Sequence, residues 1–152
     1  MKVERIEVLG INVTDLQKAT ALFSKLFGIE FRSFDFGREV KVHAMPVDAP
    51  DVAPLNQATT RIAIDPTGFL ELIQTSPALG PDGFRNIHFK VDDIEAAKAE
   101  MRSHGIRLIT DIRVGNLREA IFHPDDLFGI RVCLIQYDAP SMVEAVLEAP
   151  AA

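Results

Sequence analysis

The sequence predicts an α+β domain whose two β-rich halves each contribute one helix that packs outside a curved sheet. Three observations lead to this fold class. Each half places β-rich runs around one amphipathic helical segment, the strand-to-helix junction of the first half recurs in the second, and 152 residues are the usual size of one domain. With 47% apolar residues, the chain can bury a substantial core without disulfides.

The first half begins with a β-rich run over residues 6–13, followed by an amphipathic helix that extends to Phe27. Thr14 or Asp15 can cap the start of this helix, because either side chain can accept hydrogen bonds from its first N–H groups. Gly28 is predicted to cap its end, where a left-handed backbone conformation is common.

Two further strands are predicted in this half, over residues 29–36 and 39–47, joined by a tight turn at 36–38. The segment 48–57 contains prolines, which interrupt regular structure. We therefore expect that segment to form a loop over one rim of the domain.

The second half repeats the same order. A strand over 87–91 leads to Asp92 and Asp93, which cap a helix that ends at His104 and Gly105. Three more strands are predicted, over 106–109, 118–122 and 130–137. Residues 142–147 can form a short helix, but prolines bracket them, so the segment can equally be an arm.

The two halves align with each other at fixed offsets. Four positions match at an offset of 78, where Val13, Asp15, Leu16 and Ala19 correspond to Val91, Asp93, Ile94 and Ala97. Residues 70–74 align with 132–136 at an offset of 62. This self-similarity indicates a duplicated module. We expect one domain over 1–138, with modules near 3–76 and 83–138, and a C-terminal tail over 139–152.

Charge, cysteine content and the distribution of apolar residues limit the partners, the disulfides and the location that we expect. The formal net charge is −6, and the Lys and Arg residues are scattered, so neither nucleic acid nor a membrane is an expected partner. Cys133 is the only cysteine, so no intramolecular disulfide can form. Because the N-terminus lacks the pattern of a signal peptide, and no apolar run approaches the roughly 20 residues of a membrane span, we expect a cytoplasmic location.

Three kinds of segment carry a family resemblance: the junctions Val13-Thr14-Asp15-Leu16 and Val91-Asp92-Asp93-Ile94, the helix ends at 26–29 and 104–106, and residues 122–129 before the last strand. Together they resemble the vicinal oxygen chelate superfamily, which includes glyoxalase I, bleomycin-resistance proteins, methylmalonyl-CoA epimerases, fosfomycin-resistance enzymes and extradiol dioxygenases. Residues 122–129 are most similar to methylmalonyl-CoA epimerases. The resemblance implies two βαβββ modules around a ligand cup, and a homodimer.

The resemblance also implies a divalent metal held by the first and last strands of each module. The four ligand positions fall at Val8, Glu71, Asn86 and Cys133. Because Val8 offers no lone pair and only Glu71 is an ordinary hard-metal ligand, we expect no metal and no other cofactor. The alternative is zinc, manganese or cobalt held by a shifted set of residues: Glu71, His88, Cys133 and either His43 or His123.

Strand alternation identifies His88 as a candidate catalytic residue. If Asn86 faces the cup then His88 does too, as Gly10 does beside Val8. The duplicated partner of His88 is Gly10, which has no side chain and would leave room opposite the imidazole. The alternative is a buried histidine held by one backbone hydrogen bond.

Glu71 is the candidate catalytic base. It lies within an apolar run, where a desolvated carboxylate would have a raised pKa suited to proton abstraction next to a carbonyl or thioester. The alternative is a carboxylate that faces solvent on a half-exposed strand. Cys133 is better suited to ligand contact or core packing than to a nucleophile's role, and His123 either contacts ligand at the cup's mouth or only forms a turn.

Three functions are consistent with these residues. The first is binding of a small, largely apolar organic metabolite, with a metal-independent isomerase or lyase reaction in which Glu71 is the base and His88 and Asn86 polarise a carbonyl. The second is a non-catalytic protein that sequesters its ligand, as bleomycin-resistance proteins do. The third is a metal-dependent epimerase or glyoxalase-like lyase with the shifted ligand set. The sequence leaves open whether the chain is an enzyme.

Overall fold

A computed structural model describes residues 1–49 and 59–148. Within these ranges, nine strands form one mixed sheet. The strands are β1 Val3–Asn12, β2 Arg32–Phe36, β3 Val42–Ala44, β4 Thr59–Ile64, β5 Phe69–Ser76, β6 Gly83–Val91, β7 Leu108–Val114, β8 Leu117–Phe122 and β9 Arg131–Gln136. The helices are α1 Leu16–Phe27, α2 Ile94–Ser103 and α3 Met142–Leu147, with a 3-10 turn over Pro124–Asp126.

Eight of the nine strands form two βαβββ modules joined edge to edge, and β3 extends the edge of the second module. The strand order of the sheet is β2-β4-β5-β1-β6-β9-β8-β7-β3. The first strands of the two modules, β1 and β6, pair antiparallel at the centre, and each pairs parallel with the last strand of its own module, β5 or β9. The sheet is curved and nearly closed. The α+β fold with two βαβββ modules is therefore confirmed.

The predicted strand over 39–47 is wrong in length and pairing. Only β3, Val42–Ala44, is a strand, and it pairs with β7 of the second module rather than with β2. The partner of β2 is β4, which the sequence pattern did not reveal. Hydrogen bonds within the turn after β2, from Gly37 N to Val40 O and from Glu39 N to Asp35 O, direct the chain away from β2.

One boundary nearby also differs from the prediction. β2 begins at Arg32 rather than at residue 29. Most of the predicted loop over 48–57 lies outside the described residues.

The predicted helix caps of both modules are present. Asp15 Oδ1 accepts a hydrogen bond from Lys18 N at 2.9 Å, and Asp93 Oδ1 accepts one from Ala96 N at 3.0 Å. Gly28 ends α1 in the left-handed conformation, with φ of 68°. None of the helices in the described ranges has the length and apolar character that a membrane crossing requires.

Helices α1 and α2 pack on the convex face of the sheet. Leu16 of α1 packs with Ala63 and Leu72, while α2 packs against the side chains of Phe122 and Leu134. Because successive strand residues point to opposite faces, the neighbours of these residues point into the concave face. This alternation determines which side chains can form a site.

The C-terminal segment forms helix α3 rather than an arm. Four of its side chains are buried, Met142, Val143, Ala145 and Val146, in a cluster that also contains Val8, Ile62 and Ile73. Asn116 in the β7–β8 turn donates its backbone N–H to Ala145 O at 2.8 Å. Helix α3 therefore packs on the concave side of the sheet. Residues 149–152 lie outside the described ranges.

Candidate active site

The concave face encloses a cavity of about 420 Å³, which we call the cup. Apolar side chains from both modules form its walls: Phe36, Ile62 and Ile73 from the first, and Ile112 and Ile121 from the second. Its size and lining are typical of a pocket for a small, largely apolar organic molecule.

Four polar side chains converge in the cup. Glu71 comes from β5, Asn86 and His88 come from β6, and Glu119 comes from β8. The first three are at most 5% exposed, and the side chain of Glu119 is 14% exposed. Three of these groups are ionisable, and they need partners within the cup because burial removes most of their hydration.

His88 connects the two carboxylates. Its Nε2 atom lies 2.9 Å from Glu119 Oε1 and 3.8 Å from Glu71 Oε2. The shorter distance is a hydrogen bond, and the longer one is an electrostatic contact. A proton on His88 therefore binds tightly to Glu119 and leaves Glu71 free to contact a ligand.

The ionisation of these groups follows from burial and from one another. Burial raises the pKa of Glu71, an effect that the nearby His88 only partly offsets. Burial opposes the charged form of Glu119, but the hydrogen bond from His88 outweighs it, so the pKa of Glu119 is lowered. Burial also works against protonation of His88, yet the surrounding acidic groups raise its pKa well above the usual value.

Cys133 borders the same cluster. Burial raises the pKa of its thiol, so the thiol is neutral near pH 7, and the two carboxylates are the charges that hold a proton on His88. The residue is fully buried beside Ile109 and Ile121. Its sulfur nevertheless lies within 4.8 Å of the ligand atoms of His88 and Glu119.

Three buried polar atoms around the cup lack a hydrogen-bond partner within residues 1–49 and 59–148. They are Thr60 Oγ1, Asn86 Oδ1 and His88 Nδ1, and all three residues line the cavity. Buried polar atoms are nearly always satisfied in native proteins. The unsatisfied set therefore indicates a polar group, from a ligand or from water, inside the cup.

The space that Gly10 leaves is occupied by Asn86, not by His88 as the sequence argument supposed. In the β1–β6 register, Gly10 lies opposite Asn86, while Val8 lies opposite His88. A Cβ atom on Gly10 would fall 1.8 Å from Asn86 Oδ1. Glycine at this position thus allows the carboxamide of Asn86 to lie across β1.

Replacing Gly10 by alanine should lower the free energy of unfolding by about 1–3 kcal/mol, because Asn86 must leave its position or the strands must separate. Urea denaturation would measure the loss. The double variant Gly10→Ala/Asn86→Ala should recover part of it, since the overlapping carboxamide is gone. If Gly10→Ala unfolds at the wild-type urea concentration, Asn86 is not held in this orientation.

The structure brings together most, but not all, of the candidate residues. Glu71, Asn86 and His88 line the cup, and Val8 and Gly10 lie on the strand beside them. His123 does not line it: its Nδ1 accepts a hydrogen bond from Asp125 N at 3.1 Å at the start of the 3-10 turn. His43 is exposed on β3.

Glu119 was not identified from the sequence, although a signal was present. In β8 the apolar residues Leu117 and Ile121 flank it at alternate positions, so all three side chains share one face. A carboxylate between two apolar residues of one face is the same pattern that identified Glu71. Applied to β8, it would have placed a second acid in the cup.

The metal positions that the resemblance implies do not fit a metal in this chain. Val8 is buried in an apolar cluster and offers no donor atom, and Asn86 offers a neutral carboxamide. Only Glu71 and Cys133 remain, whereas such sites normally need at least three good donors. We therefore assign no chemistry to a metal at these four positions.

A second cavity, of about 460 Å³, lies away from this cluster. The end of α1 and the β4–β5 turn line it, with Glu30 and Asp65 as its acidic residues. Asp65 is engaged locally, because its Oδ1 accepts hydrogen bonds from the backbone N and the hydroxyl of Thr67. The cup, with its buried ionisable groups, is therefore the candidate active site.

Solved structures with a similar fold include two methylmalonyl-CoA epimerases. A variant of the Streptomyces coelicolor enzyme in complex with 2-nitronate-propionyl-CoA is 20% identical, with a TM-score of 0.63, covering 91% of this chain and 100% of that one. The Mycobacterium tuberculosis enzyme is 19% identical, with a TM-score of 0.61 and 90% of each chain covered. A hypothetical protein from Bacillus halodurans is 14% identical, with a TM-score of 0.62, covering 89% of this chain and 95% of that one.

Among curated proteins, none matches the sequence significantly. The family model described as the Glyoxalase/Bleomycin resistance protein/Dioxygenase superfamily matches residues 9–122, which is more than half of the chain. The fold and this match agree with the resemblance found in the sequence. The chain belongs to the glyoxalase/bleomycin resistance protein/dioxygenase superfamily.

Proposed function

We propose that the cup binds a small, largely apolar organic molecule with a carbonyl or thioester group, and that Glu71 moves a proton at the adjacent carbon. This makes the protein an isomerase or lyase with a carboxylate base, and the proposal assigns no part of the step to a metal. The observation that carries it is the buried Glu71 carboxylate, 3.8 Å from His88 and facing an apolar cavity.

The chemistry begins with a C–H bond next to the carbonyl. Glu71 accepts the proton as this bond breaks, and the electron pair moves onto the carbonyl oxygen. The developing negative charge needs a nearby positive group in a water-poor site. The His88 imidazolium, held by Glu119, supplies that charge. Return of the proton from Glu71 to a neighbouring carbon completes an isomerisation, whereas its return to the same carbon regenerates the substrate with an exchanged hydrogen.

Two features support a thioester or a related acid as the substrate class. Arg38 and Arg85 line the cup, and Arg85 Nη1 also donates a hydrogen bond to Asn12 Oδ1 at 3.1 Å, so the lining includes positive charge suited to an anionic ligand. Methylmalonyl-CoA epimerases of similar fold are described in complexes with 2-nitronate-propionyl-CoA and with methylmalonyl-CoA. Short acyl-CoA thioesters and 2-oxo acids are therefore the first molecules to test.

Deuterium exchange tests the proposal directly. The wild-type protein would be incubated in D2O with a panel of short acyl-CoA thioesters and 2-oxo acids, and proton NMR would follow the hydrogens next to the carbonyl. We expect at least one compound to lose these signals faster than in protein-free controls. Compounds that stabilise the protein in a thermal-shift assay but never exchange would contradict catalysis.

The second candidate function is sequestration of a ligand without turnover. The observation that favours it is the set of apolar walls, which can bind a hydrophobic molecule without any chemistry. The same experiment separates the two functions. Stabilisation by an organic compound without exchange indicates sequestration, whereas exchange indicates the proton transfer.

A further inference from the structure

Another set of side chains that could bind a metal lies close to the four metal positions that the resemblance implies. We propose that the chain binds Zn²⁺ through His88, Glu119 and Cys133, a site that shares only Cys133 with the four positions that the superfamily resemblance implies. The imidazole has moved two residues along β6, from 86 to 88, and a carboxylate comes from β8. The inference goes beyond the proposed function, because proton transfer to Glu71 does not require the ion.

The three donors come from adjacent strands of one sheet. His88 on β6 lies directly opposite Cys133 on β9, and Cys133 lies opposite Ile121 on β8, two residues from Glu119. Their ligand atoms all lie within 4.8 Å of one another. Tetrahedral zinc, with bonds of about 2.0–2.3 Å, places neighbouring donors roughly 3.3–3.6 Å apart. Side-chain rotations that shift these ligand atoms by about an ångström would therefore form the site without moving the strands.

The charges and donor types match zinc. Zinc would displace the proton that His88 carries in the metal-free protein. A neutral imidazole, one carboxylate and one thiolate then balance the charge of a divalent cation, which matters in a buried site. The thiol of Cys133 has no exposed surface, so ionising it requires a cation in contact. A thiolate donor favours zinc over magnesium or manganese, which prefer oxygen donors.

An independent observation also indicates a ligand at this place. His88, only 3% exposed, lines the cup, and its Nδ1 has no partner within the described ranges. Three protein donors leave one position of a tetrahedral ion open, as in catalytic rather than structural zinc sites. Glu71, whose Oε2 lies 3.8 Å from His88 Nε2, is not one of the three donors and remains available as the base.

Metal analysis of the purified chain tests the site. After incubation with ZnSO4 and removal of free metal by gel filtration, the wild type should retain about one zinc per chain, since the three donors form a single site. The variants His88→Asn, Glu119→Gln and Cys133→Ser should each lose most of it. His43→Gln is the matched control, because His43 is exposed on β3 and should retain the metal.

Cobalt substitution keeps the test decisive if a variant fails to fold. Co²⁺ added to the wild type should give an intense thiolate-to-cobalt charge-transfer band, because Cys133 is the only cysteine. Absence of stoichiometric metal, or cobalt binding without this band, would overturn the site. The deuterium-exchange result is separate: zinc binding without exchange contradicts only the proposed function, and exchange by zinc-free protein alongside failed metal binding contradicts only this inference.

Discussion

Replacing Glu71 by glutamine is expected to slow deuterium exchange of an active substrate by about 10²–10⁴-fold, the usual contribution of a general base. Glutamine keeps the size and the hydrogen-bonding oxygen of the side chain but cannot accept the substrate proton. Binding should survive, because the apolar walls of the cup are unchanged. Proton NMR in D2O measures the exchange rate, and a thermal-shift titration measures the binding.

The fold should tolerate this change. Glu71 is 5% exposed, and its pKa is raised because burial removes water from the carboxylate. A neutral amide at this position costs no more to bury than the carboxylate does. Glu4→Gln is the matched control, because Glu4 is exposed and lies outside the cup. Exchange by Glu71→Gln at the wild-type rate would show that another group takes the proton.

The parts of the fold that the sequence predicted are those encoded by local chemistry. Helix α1 begins after Asp15 and ends at Gly28, because a carboxylate can cap N–H groups and glycine adopts a left-handed conformation readily. The period-two pattern of β6 likewise placed Asn86 and His88 on one face, and both line the cup. These features depend only on residues a few positions apart.

Strand pairing was predicted less well, because it depends on distant residues. The alternation around Val42 is typical of a strand, but the same pattern can pair with β2 or with β7, and the structure pairs it with β7. The position of Gly10 illustrates the same limit. Sequence duplication relates Gly10 to His88, whereas the antiparallel register places it opposite Asn86.

The spacing of residues along α2 indicates that Lys98 is buried, which its charge alone would not suggest. Ile94, Ala97 and Met101 define the buried face of this helix, and Lys98 occupies the remaining position of the i, i+3, i+4, i+7 pattern. A lysine at such a position requires a buried acid. Its partner, Asp111, lies on β7, so only the three-dimensional structure could identify it.

Replacing Lys98 by methionine is expected to lower the free energy of unfolding by about 3–5 kcal/mol, because it leaves a buried charge without its partner. Lys98 Nζ lies 2.7 Å from Asp111 Oδ2, and their side chains are 7% and 4% exposed. Methionine keeps the apolar part of the side chain, which lies between α2 and the sheet, and removes only the ammonium group. Urea denaturation measures the loss.

The double variant Lys98→Met/Asp111→Leu should return the stability close to that of the wild type, because no uncompensated charge remains in the interior. The matched control is Arg102→Met on the same helix. Arg102 Nε lies 3.0 Å from Asp48 Oδ2, but these side chains are 45% and 39% exposed, so its loss should cost at most about 1 kcal/mol. Equal effects of Lys98→Met and Arg102→Met would mean that burial does not strengthen the Lys98–Asp111 pair, and that water reaches Asp111 under α2.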